Sequence, residues 1–154
     1  ARTRRLSYVE DPSNQNTHYD RNLLRVGVLP LIESRWPRYR QSWGKSQQLV
    51  RESCELNADL AEIDLKVCLA AGASRLCVAE MALLSSPMRR NLLRHWLISL
   101  GCSAPSWKLL NRLDSETCVH TDQSAQWQCG AYSLYRFKGE LIAVREDDFE
   151  PQVM

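Results

Sequence analysis

The sequence predicts an α+β fold: mainly helical, with one long amphipathic helix, plus a small C-terminal antiparallel sheet. Three observations carry this expectation. From Pro37 to about Ala71 there is no further proline and only one glycine, Gly44, while apolar residues return at three- and four-residue steps. Beyond Ala125 the period shortens, and strand-like runs alternate with glycine-containing pairs. The composition over 154 residues is 44% hydrophobic and 25% charged, with six Gly and six Pro, which suits one soluble globular domain. A chain of this size buries roughly 70% of its unfolded surface and has room for a core. No apolar run approaches the ~18 residues of a membrane span. The basic start Ala1-Arg2-Thr3-Arg4-Arg5 has no apolar segment behind it, so a secretory signal is not expected.

The elements follow in order. Asp11-Pro12-Ser13-Asn14 is a turn-forming cluster. A helix is expected from Asp20, whose carboxylate caps the first turn, with Leu23, Leu24 and Val28 as its apolar stripe. Gly27 and Pro30 strain or end it, and residues 29–37 form a second short helix or a kinked continuation. The long helix has Pro37 in its first turn and Gly72 at its end. Its expected buried stripe is Tyr39, Trp43, Leu49, Val50, Cys54, Leu60, Ile63 and Val67. Residues 75–79 form a short strand. Ser86 is the expected N-cap of a helix with Pro87 in first place, burying Met88, Leu92, Trp96 and residues 98–100 before it stops at Gly101. Ser103 to Ser106 open another helix through Leu113, carrying Trp107, Leu110 and Leu113. Three strands (125–129, 132–137 and 141–144) make the meander, and an acidic tail, frayed or a linker, closes the chain.

Charge is distributed in blocks. Residues 1–45 hold nine Lys/Arg against four Asp/Glu, and residues 86–112 hold five Lys/Arg and no acid. Residues 46–85 and 113–154 are acidic. Two basic blocks point to anion-facing surfaces, although charges solvated on helix faces satisfy the same pattern. The six cysteines form no C-x-x-C pair and the three histidines are scattered, so a zinc site is not expected and reduced thiols are the economical reading. There is no glycine-rich phosphate loop, nucleophile elbow or metal-spaced histidine pair.

The positive signals are two arginine constellations. Arg21 and Arg25 stand four apart, so on a helix they share a face that can grip a phosphate or carboxylate, with Asn22 beside them. Arg90 and Arg94 are again four apart, flanked by Arg89 and His95, with Leu92 and Trp96 facing inward. Such a helix suits docking to a phosphate backbone, and a merely solvated face fits the spacing equally well. Trp43, Trp96 and Trp107 are expected to anchor the core rather than stack on bases, Trp36 to pack at a helix entry, and Trp127 is ambiguous.

Glu10-Asp11-Pro12-Ser13-Asn14, then Arg21-Asn22-Leu23-Leu24-Arg25 and Val28-Leu29-Pro30-Leu31, resemble the signature that closes the catalytic domain of bacterial tRNA(Ile)-lysidine synthetases, the MesJ/TilS family. Arg35-Trp36-Pro37, Arg89-Arg90 through Leu97, Pro105-Ser106 and Gly130-Ala131-Tyr132 are similar to the domain that follows, so the likeness runs from about Tyr8 to Val144. The resemblance implies a ligase that attaches lysine to C2 of the wobble cytidine of CAU-anticodon tRNA(Ile). ATP, Mg-dependent, first adenylates the base carbonyl, and the lysine amine then displaces AMP. It implies three divisions: residues 1–35 as the tail of the PP-loop ATPase catalytic domain, 36–145 as the tRNA-recognition domain, and 146–154 as a linker. The family's Ser-Gly-Gly-x-Asp-Ser loop, and with it the ATP site, is not among these residues. A fragment binding no cofactor of its own and inactive alone is therefore expected, in a cytoplasmic enzyme with a homodimer as one possible assembly.

By position, Asn14, Arg21, Asn22 and Arg25 match the motif bordering the lysine and cytidine site, with Arg21 and Arg25 in electrostatic catalytic roles and Asn14 and Asn22 binding substrate. Val26-Gly27 departs from the polar pair common in the family. Arg89, Arg90, Arg94, Arg136 and Lys138 are the candidate tRNA contacts. A helical protein–protein adaptor and a general RNA-binding module are the alternatives.

Overall fold

A computed structural model describes residues 16–119 and 125–148. The chain divides into two compact units, Ala1–Glu52 and Ser53–Met154. In the described part of the first unit, α1 (Asp20–Asn22) passes without a break into a π-helical segment, Leu23–Val28, and then into α2 (Leu29–Arg35). Asp20 lies inside the first turn, and Tyr19 takes the cap position with no side-chain capping bond. The helix thus continues through Gly27 and Pro30 instead of ending there. Pro30 has no N–H to donate and its ring crowds the carbonyl four residues back. The widened turn accommodates this, and the amide of Leu29 reaches five residues back to the Leu24 carbonyl. The expected apolar stripe is not buried: Leu23, Leu24 and Val28 are all exposed.

The long helix is α3 (Tyr39–Cys68), 30 residues. Its buried face is not the expected stripe. Trp43, Leu49, Val50, Cys54, Leu60, Ile63 and Val67 are exposed, whereas Tyr39, Ala61, Asp64 and Cys68 are buried and Leu65 is partly so. In the second unit Ala61, Asp64 and Cys68, spaced by three and four residues, are the covered side of α3.

The second unit is built on a four-stranded antiparallel sheet in the order β1-β4-β3-β2. β1 (Arg75–Cys77) is followed at once by α4 (Val78–Leu83), where the sequence pattern had continued the strand. α5 (Ser86–Ser99) starts one residue earlier than expected, with Ser85 at the cap and Ser86 inside. α6 (Trp107–Val119) runs six residues past Leu113. β2 (Gln126–Cys129), β3 (Tyr132–Phe137) and β4 (Glu140–Arg145) form the expected meander, with Trp127 opposite Leu134 and Leu134 opposite Ala143. Lys138 and Gly139 both have positive φ, 47° and 79°, the type I′ turn that matches strand twist in a two-residue hairpin.

One face of the sheet packs on the helices. Leu76, Trp127, Cys129, Leu134, Leu141 and Ala143 join Leu92, Leu93, Trp96 and Leu97 of α5 and Leu110 and Leu113 of α6 in a single core. The two buried indoles are paired: that of Trp96 donates to the Ala73 carbonyl at 2.8 Å, and that of Trp127 to Glu116 at 2.7 Å. Of the tryptophans expected in the core, Trp43 and Trp107 are exposed, and Trp36 is exposed as well. All six cysteines are free thiols, and burial pushes Cys68 and Cys102 up to about 11.

Candidate nucleic-acid interface

The basic segment of α5 is positioned by an acidic residue on α6. Asp114, nearly buried, accepts from Arg89 Nε at 2.5 Å and from Arg90 Nη1 at 2.8 Å. The Ser86 hydroxyl donates to the same carboxylate, and Arg90 also donates to that hydroxyl oxygen. Arg89 makes a further bond to the Leu84 carbonyl at 2.6 Å. Burial alone would raise the Asp114 carboxyl. The Ser86 and Arg89 hydrogen bonds and the charges of Arg89 and Arg90 together outweigh it and hold the group below its ordinary range. Two of the five candidate tRNA residues are therefore committed to an internal pair, and they are only 17% and 20% exposed at the side chain.

The geometry nevertheless leaves a cationic outer surface. Arg94, one turn beyond Arg90, is exposed. The Arg90 guanidinium stacks 5.0 Å from the centre of the Trp107 ring, and that indole is 61% exposed. Lys138, at the tip of the β3–β4 hairpin, is exposed with its ammonium over Phe137. Arg136 is different. It is half-buried, and its Nη1 is buried without a hydrogen-bond partner, a poor position for reaching a phosphate.

In the first unit, Arg21 and Arg25 are both exposed, and the Arg21 guanidinium lies 6.0 Å from the Tyr19 ring. Arg25 sits in the π-helical turn, so its offset from Arg21 is that of a widened helix rather than of an ideal one. Asn22 is buried and its side-chain amide donates to the Asn16 carbonyl at 2.9 Å, which ties the preceding loop to the helix. Asn14 lies outside the described residues. Among the described residues no three acidic, His or Cys side chains converge on a metal-sized site. The sequence has no glycine-rich phosphate loop either.

Two residues of this region escaped the sequence reading. Asp114 stands 24 positions from Arg90, a separation that no periodicity links. Trp107 has helical spacing from Leu110, which matches a core stripe, yet it is the residue that opens the helix and faces outward.

Comparison with known proteins bears on the family of the chain. Residues 76–142 match the model of the TilS substrate binding domain. Over 141 residues the chain is 35% identical to the tRNA(Ile)-lysidine synthase of Photorhabdus laumondii, covering 91% of this chain and 32% of that protein. It is 33% identical to that of Enterobacter sp. strain 638, over 91% of this chain and 33% of the relative. The Shigella flexneri protein is also 33% identical, over 88% and 32%. The chain spans about a third of the length of the curated relatives it matches.

Proposed function

We propose, for a chain that belongs to the tRNA(Ile)-lysidine synthase family, that it supplies tRNA-binding surface to the ligase reaction. In that reaction lysine is attached to C2 of the wobble cytidine of CAU-anticodon tRNA(Ile) at the expense of ATP, in the cytoplasm. The observation that carries this reading is the outer edge of α5. Within the matched segment it presents exposed Arg94 beside an Arg90–Trp107 stack fixed from below by Asp114.

In this arrangement the roles divide. Arg94 and Lys138, exposed, make phosphate contacts. Arg89 and Arg90 add positive field from fixed positions while holding α5 to α6, and Trp107 offers an aromatic face to RNA. Arg136 contributes only through the general field. Arg21 and Arg25 act at the border of the reaction centre by neutralising charge, with Asn14 binding substrate beside them and Asn22, the other residue of that motif, tied to the Asn16 carbonyl. The absence of a glycine-rich phosphate loop from the sequence supports the expectation that the chain alone forms no lysidine.

Phosphate contacts release counterions, so tRNA affinity of the chain should fall steeply as salt rises. Arg94→Ala is expected to weaken binding and lower the logarithmic salt slope by about one. Equal slopes for the two proteins, measured by filter binding across a salt series, would remove α5 from the interface. An adaptor for an acidic protein would show no preference for tRNA over a polyanion such as heparin. The reading includes a homodimer, supported by Leu56, Leu60, Ile63 and Val67 exposed at heptad-like spacing on α3, and sedimentation across concentration checks it.

A further inference from the structure

The first unit contains a groove that the reading above does not use. Where α2 gives way to α3, the loop through Trp36, Pro37 and Arg38 opens a cavity of about 670 Å³, within the range of small-ligand sites. Its wall is aromatic: Trp36 is 62% and Trp43 53% exposed. Tyr39 stands edge-on to Trp43, ring centres 4.9 Å apart at 81°.

The groove is also polar in a particular way. Tyr39 is only 7% exposed, and its hydroxyl is buried with no hydrogen-bond partner among the described residues. A phenol kept from both water and protein acceptors costs free energy unless something entering the groove pairs with it. Arg35 and Arg38 line the same cavity, both exposed, and among the described residues neither is in an ion pair. Arg40 is instead engaged, stacked at 5.2 Å on the Tyr39 ring and 3.6 Å from Glu33, which fixes the tyrosine from its other side.

Two open indole faces, an unpaired phenol and two guanidinium groups call for one kind of ligand. It is planar and aromatic, it bears a hydrogen-bonding edge, and it carries negative charge. An aliphatic segment leaves both arginines and the hydroxyl unused, and an acidic peptide leaves the indoles uncovered. We propose that this groove holds an unpaired nucleotide of a ribonucleic acid strand. The base lies on Trp36 and Trp43, its polar edge meets the Tyr39 hydroxyl, and the flanking phosphates lie on Arg35 and Arg38. The inference rests on the tRNA-binding reading for its choice of strand over free nucleotide, but it involves none of the residues given roles there.

The test uses the full chain, a labelled unstructured hexaribonucleotide and fluorescence anisotropy. Expected are saturable binding of the hexamer and a loss of about ten-fold in affinity for Trp36→Leu and for Trp43→Leu. Arg35→Gln and Arg38→Gln should each lower the salt slope by about one. Tyr39→Phe should weaken binding several-fold while the free chain melts no lower than the parent, which separates the hydroxyl's role from packing. Because Trp36 and Trp43 are exposed, their variants should melt with the parent chain. Unaltered hexamer affinity in both tryptophan variants would overturn the site, as would CMP binding as tightly as the hexamer. If tRNA still binds with a steep salt slope while those variants behave as the parent, the groove is refuted and the tRNA reading stands. If tRNA does not bind but the hexamer does, through Trp36 and Trp43, the reverse holds.

Discussion

Asp114 shows how one carboxylate converts an apparent cationic patch into a structural joint. Its three donors come from α5, and losing the carboxylate would strand two guanidinium groups in partly buried positions. Asp114→Ala should therefore destabilise the chain by about 3 kcal/mol in chemical denaturation. It should also free the Arg90 guanidinium from its place over Trp107. The pH dependence has a definite sign. The folded-state value lies below the unfolded one, so the stabilisation is complete above the ordinary carboxylate value of about 3.9, declines below it, and is lost as pH falls through the lower folded-state value. The stability gap between the parent and Asp114→Asn should accordingly shrink below about pH 4. Asp64 behaves oppositely. It is 5% exposed with Oδ2 unpartnered, and burial holds its carboxyl above the ordinary range. Its ionised form costs stability once pH rises through that range. Asp64→Asn should raise stability at neutral pH by about 1 kcal/mol and flatten the profile between acid and neutral conditions.

At the scale of elements, the same sequence signal succeeds or fails according to what surrounds it. Strand alternation and the glycine-containing pairs located all three strands of the meander, because hairpin register is fixed locally by the turn. Lys138 occupies a left-handed position at φ 47°, where asparagine is far better tolerated. Lys138→Asn should raise the melting temperature, equivalent to about 0.5 kcal/mol, and weaken tRNA binding, two readouts moving in opposite directions. In α3 the length was legible and the buried face was not. Spacing says that apolar residues share a side, and only packing says whether that side meets a core. Leu60→Lys and Ile63→Lys, both on exposed positions, should change the stability of the monomer by no more than about 0.5 kcal/mol. The π-helical turn at Leu23–Val28 shows a third case. Proline and glycine were correctly read as disturbances, but the backbone absorbed them by widening instead of stopping.

For the whole molecule, the sequence by itself determined the fold class, the order of the elements apart from α4, and a family likeness that the comparisons bear out. These depend on local chemistry: turn residues, proline gaps, the period of apolar side chains and short motifs whose residues are neighbours in the chain. Tertiary structure alone decided which face of α3 is covered, that Trp43 and Trp107 face outward while Trp96 and Trp127 are buried, and that Arg89 and Arg90 answer to Asp114. It also brought Trp36, Tyr39, Trp43 and the arginines Arg35 and Arg38 around one groove. The reason is physical. A charge or an aromatic ring takes its role from whatever lies within a few ångströms, and those neighbours are selected by packing across the chain.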